Sequence, residues 1–158
     1  MCVPRYREFM SLKEQLHADL NASMKARDEL RTATLRMALT AVTTEEVAGK
    51  IARELSDEDV LKVLAKESKK RREAAEAFDA AGRAELASRE RAEGEVLDAY
   101  LPAQLSDDEL RELVAAAVAE TGAAGPQGMG MVMKAVQPRI AGRADGRRVS
   151  DEVRRQLG

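Results

Sequence analysis

The sequence predicts an all-α fold, and three observations carry that prediction. Apolar residues recur at three- and four-residue spacings along most of the chain. Ser-led capping signals stand ahead of such runs at Ser11, Ser56, Ser106 and Ser150. No stretch shows the two-residue alternation of a half-buried strand. The composition, 34% charged and 44% apolar with no Trp, two Tyr and two Phe, is that of a charged helical protein.

Ser11-Leu12-Lys13-Glu14 forms a capping box, in which the Ser oxygen satisfies an orphan N–H and the acid reaches back to the cap. Behind it Leu12, Leu16, Leu20 and Met24 draw a narrow apolar stripe down a first helix. Asp28 breaks and restarts the chain. Leu35, Ala38, Leu39 and Val42 give the second helix its buried face, with an end expected near Gly49.

Ser56-Asp57-Glu58-Asp59 is a weaker cap for a third helix, expected from Asp57 to Ala80, with a fourth from Ala84 to Leu101. The two flank Gly82 and read as an αα-hairpin. Their seams place Val60, Leu64, Glu67, Arg71, Ala74 and Phe78 against Leu86, Glu90, Glu93, Leu97 and Tyr100. Folding about Gly82 pairs Phe78 with Leu86, Arg71 with Glu93 and Leu64 with Tyr100, which predicts apolar ends and a charged middle.

Leu101-Pro102 ends the hairpin, because proline disfavours helix in the residue before it and has no N–H to donate. A domain boundary is expected there, giving an N-terminal extension (1–9), an N-terminal helical domain (10–101) and a small three-helix tail domain (102–158). In the tail, Ser106-Asp107-Asp108-Glu109 is a second capping box. Leu110, Leu113, Val114, Ala117, Val118 and Thr121 follow the helical template, and Gly122 is the expected stop. A loop from Ala123 to Gly128 leads to a Met-rich helix through Met129, Val132, Met133 and Val136, stopped by Pro138. A tight Asp145-Gly146 turn then precedes a last helix capped at Ser150, with Val153 and Leu157 inward.

A chain of 158 residues can bury a core without disulfides or metals. Cys2 has no partner for an internal disulfide, and with one histidine it builds no structural zinc site. The first ten residues lack the apolar core of a signal peptide, and no run of about 18 apolar residues is present. These features together predict a cytoplasmic protein with no membrane partner.

No residue set forms a self-contained catalytic site, and neither a cofactor nor a metal is expected. Gly125, Gly128 and Gly130 have neither P-loop nor dinucleotide-fingerprint spacing and no preceding strand, so they read as close-packing positions beside methionines that fill an irregular core. His17 reads as a surface residue. Glu45-Glu46 and the pair Glu90 and Glu93 read as solvated or salt-bridged acids. The basic run Lys66, Lys69, Lys70, Arg71 and Arg72 faces Glu90, Glu93 and Glu95 across the hairpin, which points to interhelical pairing.

Formal net charge is −2, so any polyanion contact must be local. Residues 103–126 hold one Arg against five acids, whereas 127–158 hold seven Lys or Arg against three acids. Lys134, Arg139, Arg143, Arg147 and Arg148 are therefore the candidate nucleic-acid-binding residues, with Arg154 and Arg155 behind them. The absence of any aromatic after Tyr100 removes a stacking platform for single-stranded bases and favours backbone contact with structured RNA. On residue content alone, a solvated basic turn fits equally well.

Thr34-Leu35-Arg36-Met37, Lys66-Glu67, Gly82-Arg83, Tyr100-Leu101-Pro102, Gln104-Leu105-Ser106, Gly130-x-Val132-Met133 and Gly142-Arg143-Ala144-Asp145-Gly146 resemble, in order, the landmarks of the GatB/YqeY family. The resemblance runs from about Met10 to the end and leaves 1–9 outside, so Met10 is a candidate start. It implies a protein similar to the helical and tail regions of the tRNA-dependent amidotransferase B subunit, without that subunit's catalytic cradle. tRNA, amidotransferase or other proteins are the implied partners. The implied label is carbon–nitrogen ligase activity with glutamine as amido-N-donor, read here as membership of a pathway. Where family members often carry Asp-Met-Gly-Lys, this chain has Gly128-Met129-Gly130-Met131, two charges fewer beside the candidate RNA face.

Overall fold

The computed structural model describes residues 9–158, so the extension, Cys2 and the signal-peptide reading lie almost wholly outside the described residues. Those residues form seven α-helices and no strand: α1 (Leu12–Lys25), α2 (Glu29–Glu46), α3 (Asp57–Ala80), α4 (Ala84–Asp98), α5 (Asp107–Thr121), α6 (Met129–Ile140) and α7 (Gly146–Leu157). A 3₁₀ turn, Pro126–Gly128, leads into α6. The fold is all-α. The chain divides into two compact units, up to Leu101 and from Pro102.

In the first unit α1 opens on the expected capping box, Ser11 Oγ accepting from Glu14 N at 3.1 Å and Glu14 accepting from Ser11 N at 3.0 Å. Leu12 N also donates to the Asp57 carboxylate of α3 at 2.9 Å, a second cap supplied from 45 residues away. The apolar stripe departs from expectation at its end: Leu16 is buried, but Met24 is 41% exposed and Asp19 and Ser23 face inward instead. A strict four-residue repeat overshoots the helical turn by about 40° per step, so three steps carry Met24 some 120° off the buried line.

Asp28 caps α2 through Arg31 N at 3.1 Å, after Arg27 turns the chain at φ 56°. Leu35, Ala38, Leu39 and Val42 are all buried as expected, joined by Thr34. The helix ends at Glu46 and not near Gly49, because the Glu46 carboxylate turns to Lys13 at 2.7 Å and to Leu55 N at 3.3 Å, drawing the following loop back.

The hairpin of α3 and α4 turns at Gly82, whose φ of 73° suits a residue without Cβ. Its centre follows the predicted register, with Arg71 Nε 3.4 Å from Glu93 and Arg71 Nη1 3.4 Å from Glu90. Around this centre the small residues Ser68 and Ala75 of α3 and Ala87 and Gly94 of α4 are buried. Ala87, not Leu86, is the buried residue near the tip, and Leu86 is 39% exposed. A Cβ on Gly94 would sit in ordinary van der Waals contact, 3.6 Å from Arg71 Cβ, so the two helices pack directly against each other there. The fourth helix stops at Asp98, three residues short of the expected Leu101. Tyr100 then reaches back, its hydroxyl donating to Asp19 at 2.5 Å.

The second unit buries Leu110, Val114 and Ala117 of α5, Val132, Val136 and Ile140 of α6, and Val149 and Val153 of α7, with Leu105. Ser106 and Glu109 form the expected capping box, and Gly122 ends α5 in the left-handed region at φ 64°. Two boundaries differ from expectation. Pro138 does not stop α6: it lies on the exposed face of the last turn, where its fixed φ suits a helix, and the buried Ile140 holds that turn in place. The last helix starts earlier than Ser150. Asp145 is its cap, accepting from Arg147 N at 3.1 Å, and Ser150 lies within the helix with its hydroxyl donating to Arg147 O at 3.0 Å. The earlier start brings Val149 into line with Val153, one turn apart on the buried face.

Candidate nucleic-acid interface

The five candidate residues lie on α6, on the turn after it and on the first turn of α7. That turn is made by Ala141 at φ 47° and Gly142 at φ 77°, two consecutive left-handed residues that reverse the chain. Arg143 follows and is tied down. Its N–H donates to Ile140 O at 2.9 Å, its carbonyl accepts from Leu105 N at 2.7 Å, and its Nε donates to Ala103 O at 2.9 Å.

Arg148 works on the same segment. Its Nη2 donates to Leu105 O at 3.1 Å and to the Asp107 carboxylate at 2.8 Å. Arg143 and Arg148 thus stitch residues 103–107 onto the start of α7. Arg139 pairs with Glu120 near the end of α5 and holds that carboxyl below its usual range.

Lys134 and Arg147 differ from these three. Both are exposed, and neither side chain makes an ion pair with another described residue. They do not extend the Arg139 site, since Lys134 and Arg139 are five positions apart on α6 and so point about 140° apart round its axis. Farther along α7, Arg154 pairs with Asp151 at 3.0 Å and Arg155 with Glu152 at 2.5 Å. The Arg155 guanidinium holds the Glu152 carboxyl down at about 2.

The tail therefore corrects one inference from local charge. Its basic half is neutralised in part by the acidic half, because α5 carries Asp107 and Glu120 to Arg148 and Arg139. Across 102–158 eight cations meet eight acids. No group of three or more His, Cys, Asp or Glu able to hold a metal occurs among the described residues. His17 is exposed.

The sequence model of one family, described as Yqey-like protein, matches residues 13–157. The chain belongs to the YqeY-like family. No curated protein matches it.

In this YqeY-like chain the landmark segments have distinct structural parts. Tyr100-Leu101-Pro102 closes the first unit through the Asp19 bond. Gly142 to Gly146 forms the turn and cap that carry Arg143 and Arg148. An added Cβ on Gly128 would lie 2.7 Å from Ala123 Cβ and one on Gly125 2.9 Å from the flexible Gln127 side chain, whereas one on Gly130 meets nothing within 4 Å. Arg36, Met37, Lys66 and Glu67 come together on the walls of a groove between α2 and α3 that sequence reasoning did not anticipate. Its members lie on different helices about 30 residues apart, and each reads singly as a surface residue.

The hairpin charges are likewise resolved. Glu93 is buried, receiving Arg71 from one side and Arg89 Nε from the other at 3.2 Å, and Lys70 pairs with Glu67 at 2.8 Å. Glu95 stays exposed and takes no part in these pairs. No helix among the described residues is long and apolar enough to cross a membrane.

Proposed function

We propose that this YqeY-like chain is a tRNA-associated binding module whose tail touches phosphates of folded RNA. The observation that carries the reading is that Lys134 and Arg147 are exposed and acid-free, in a tail whose Arg139 and Arg154 make surface ion pairs that a phosphate can exchange. Pairs of this kind, Arg139 with Glu120 and Arg154 with Asp151, are weak because water screens them. Arg143 and Arg148 take a different role: they hold the turn that presents Arg147.

The resemblance to the amidotransferase B subunit supports RNA as the polyanion and supports a place in glutamine-dependent carbon–nitrogen ligase chemistry, with the chain supplying binding. The wild-type protein and a Lys134→Ala, Arg147→Ala variant should be titrated against labelled bulk tRNA by fluorescence anisotropy across a salt series. Phosphate contact predicts wild-type affinity that falls steeply with salt, and a log–log slope shallower by about two in the variant. Salt-insensitive binding, or none at low ionic strength, rejects the reading. A second reading, a protein-interaction module, is favoured by the groove between α2 and α3.

A further inference from the structure

The groove between α2 and α3 is about 430 Å³ in volume and open to solvent. Met37 and Ala41 from α2 and Val63 from α3 form an apolar strip along it, with Arg36 on one wall and Lys66 on the other. Met37 is 46% exposed, unusual for a large apolar side chain on a helix that otherwise buries its apolar face. Arg71, paired with Glu90 and Glu93, reaches it through a weak contact, its Nη2 donating to Met37 Sδ at 3.3 Å.

The polar character of the walls is one-sided. Thr40 and Thr44 direct their hydroxyl protons into their own helix, onto Arg36 O and Thr40 O, each at 2.9 Å. Lys70 and Glu67 satisfy one another. Arg36 donates only to a thioether, Met24 Sδ at 3.2 Å, a weak acceptor for a guanidinium. Lys66 makes no ion pair with a described residue. The donors left facing solvent are two cations on opposite walls, and each lacks a carboxylate.

At the far end stands Glu45, exposed and without an ion pair among the described residues. It is nine positions from Arg36, or about 13 Å along α2. Lys66 lies five positions before Arg71 on α3, about 7.5 Å along it toward Glu45. The groove therefore carries Arg36 at one end, Lys66 partway along the other wall, an apolar strip between them and Glu45 at the far end.

We propose that this groove docks an amphipathic helix of a partner protein, with Asp or Glu over Arg36 and Lys66, apolar side chains on Met37, Ala41 and Val63, and Lys or Arg toward Glu45. A helix lying between two helices and anchored at i, i+3 or i+4 and i+7 is an established mode of peptide recognition. An RNA strand is the poorer occupant, because the apolar floor offers nothing to sugar or phosphate and Glu45 repels phosphate.

The test is selection from a displayed library of randomised helical peptides against the full chain, followed by affinity measurement on the enriched peptides. The expected sequences carry an apolar stripe flanked by acids, with a base at the end that meets Glu45. An Arg36→Glu, Lys66→Glu variant, both changes at exposed sites, should bind them at least about tenfold more weakly while keeping the wild-type melting curve. Met37→Lys should weaken binding independently. Failure to enrich any peptide, enrichment without acids, or equal binding to the double variant would overturn the proposal. tRNA binding lost in the same double variant would overturn it too, by assigning the groove to nucleic acid.

Discussion

Arg148 stands 2.8 Å from the Asp107 carboxylate, across 41 residues of sequence, and its same nitrogen reaches the Leu105 carbonyl at 3.1 Å. A residue that reads as a phosphate grip is thereby a clasp on the start of α5. Arg148→Ala should lower tail stability by roughly 1–2 kcal/mol, since it removes two hydrogen bonds, one of them charge-assisted. Lys at 148 should restore only part, lacking the planar fork. Arg147→Ala, one position away and exposed, should stay within about 0.5 kcal/mol. Urea midpoints of the three variants check this contrast.

Tyr100 and Asp19 make the corresponding closure in the first unit, with Arg31 3.9 Å from the same carboxylate. Tyr100→Phe should cost about 1–3 kcal/mol, the range for removing a donor from a buried acceptor. Burial of the phenol, then its bond to Asp19, raise its pKa above the ordinary 10.0. The folded state therefore favours the protonated phenol. Its stabilisation is full below pH 10 and falls as pH rises beyond it, so the variant should lose the alkaline part of the wild-type stability profile.

Gly128 and Gly130 are close in sequence and opposite in consequence. Gly128→Ala places a methyl group 2.7 Å from Ala123 Cβ and should destabilise the tail by about 1–3 kcal/mol. Gly130→Ala enters open space near the start of α6 and should be neutral or stabilising by up to about 1 kcal/mol. Thermal melts of the two variants should shift in opposite directions, or only the first should shift.

Glu152 supplies a pH dependence of the opposite sense. Its carboxyl is lowered from 4.5 to about 2, chiefly by the Arg155 hydrogen bonds, with Gln156 adding another at 2.6 Å. A depressed acid stabilises the fold at pH above its unfolded value, and that contribution is lost as pH falls from about 4.5 toward 2. Glu152→Gln should flatten this acid limb in urea midpoints taken from pH 5 to pH 2. Glu46, Asp59 and Glu120 are lowered as well, by Lys13, Arg53 and Arg139, so part of the slope should remain.

Much of the architecture was legible because its determinants are local. The Ser11 and Ser106 capping boxes, the Gly82 and Gly122 turns and the α2 and α5 faces depend on residues within a few positions of one another. The register of Arg71 with Glu93 was legible for a related reason, since counting outward from a single turn sets it. The misplaced features lie where tertiary packing outweighs a local signal. Ile140 carries α6 through Pro138, Val149 pulls the start of α7 back to Asp145, and at the hairpin tip Ala87 is buried where Leu86 was expected.

The candidate site was less legible than the fold. The chain by itself determined an all-α protein, the placing of most helix starts and the concentration of cations in its last quarter, because capping and helical periodicity act over one or two turns. Only the tertiary structure decided which of those cations are occupied. Asp107 and Glu120 reach Arg148 and Arg139 because α5 packs on the helices that carry them, and Arg36 and Lys66 face one groove because α2 lies on α3. Electrostatic pairing depends on distance through space, and positions far apart along the chain become neighbours only when the apolar faces are buried together.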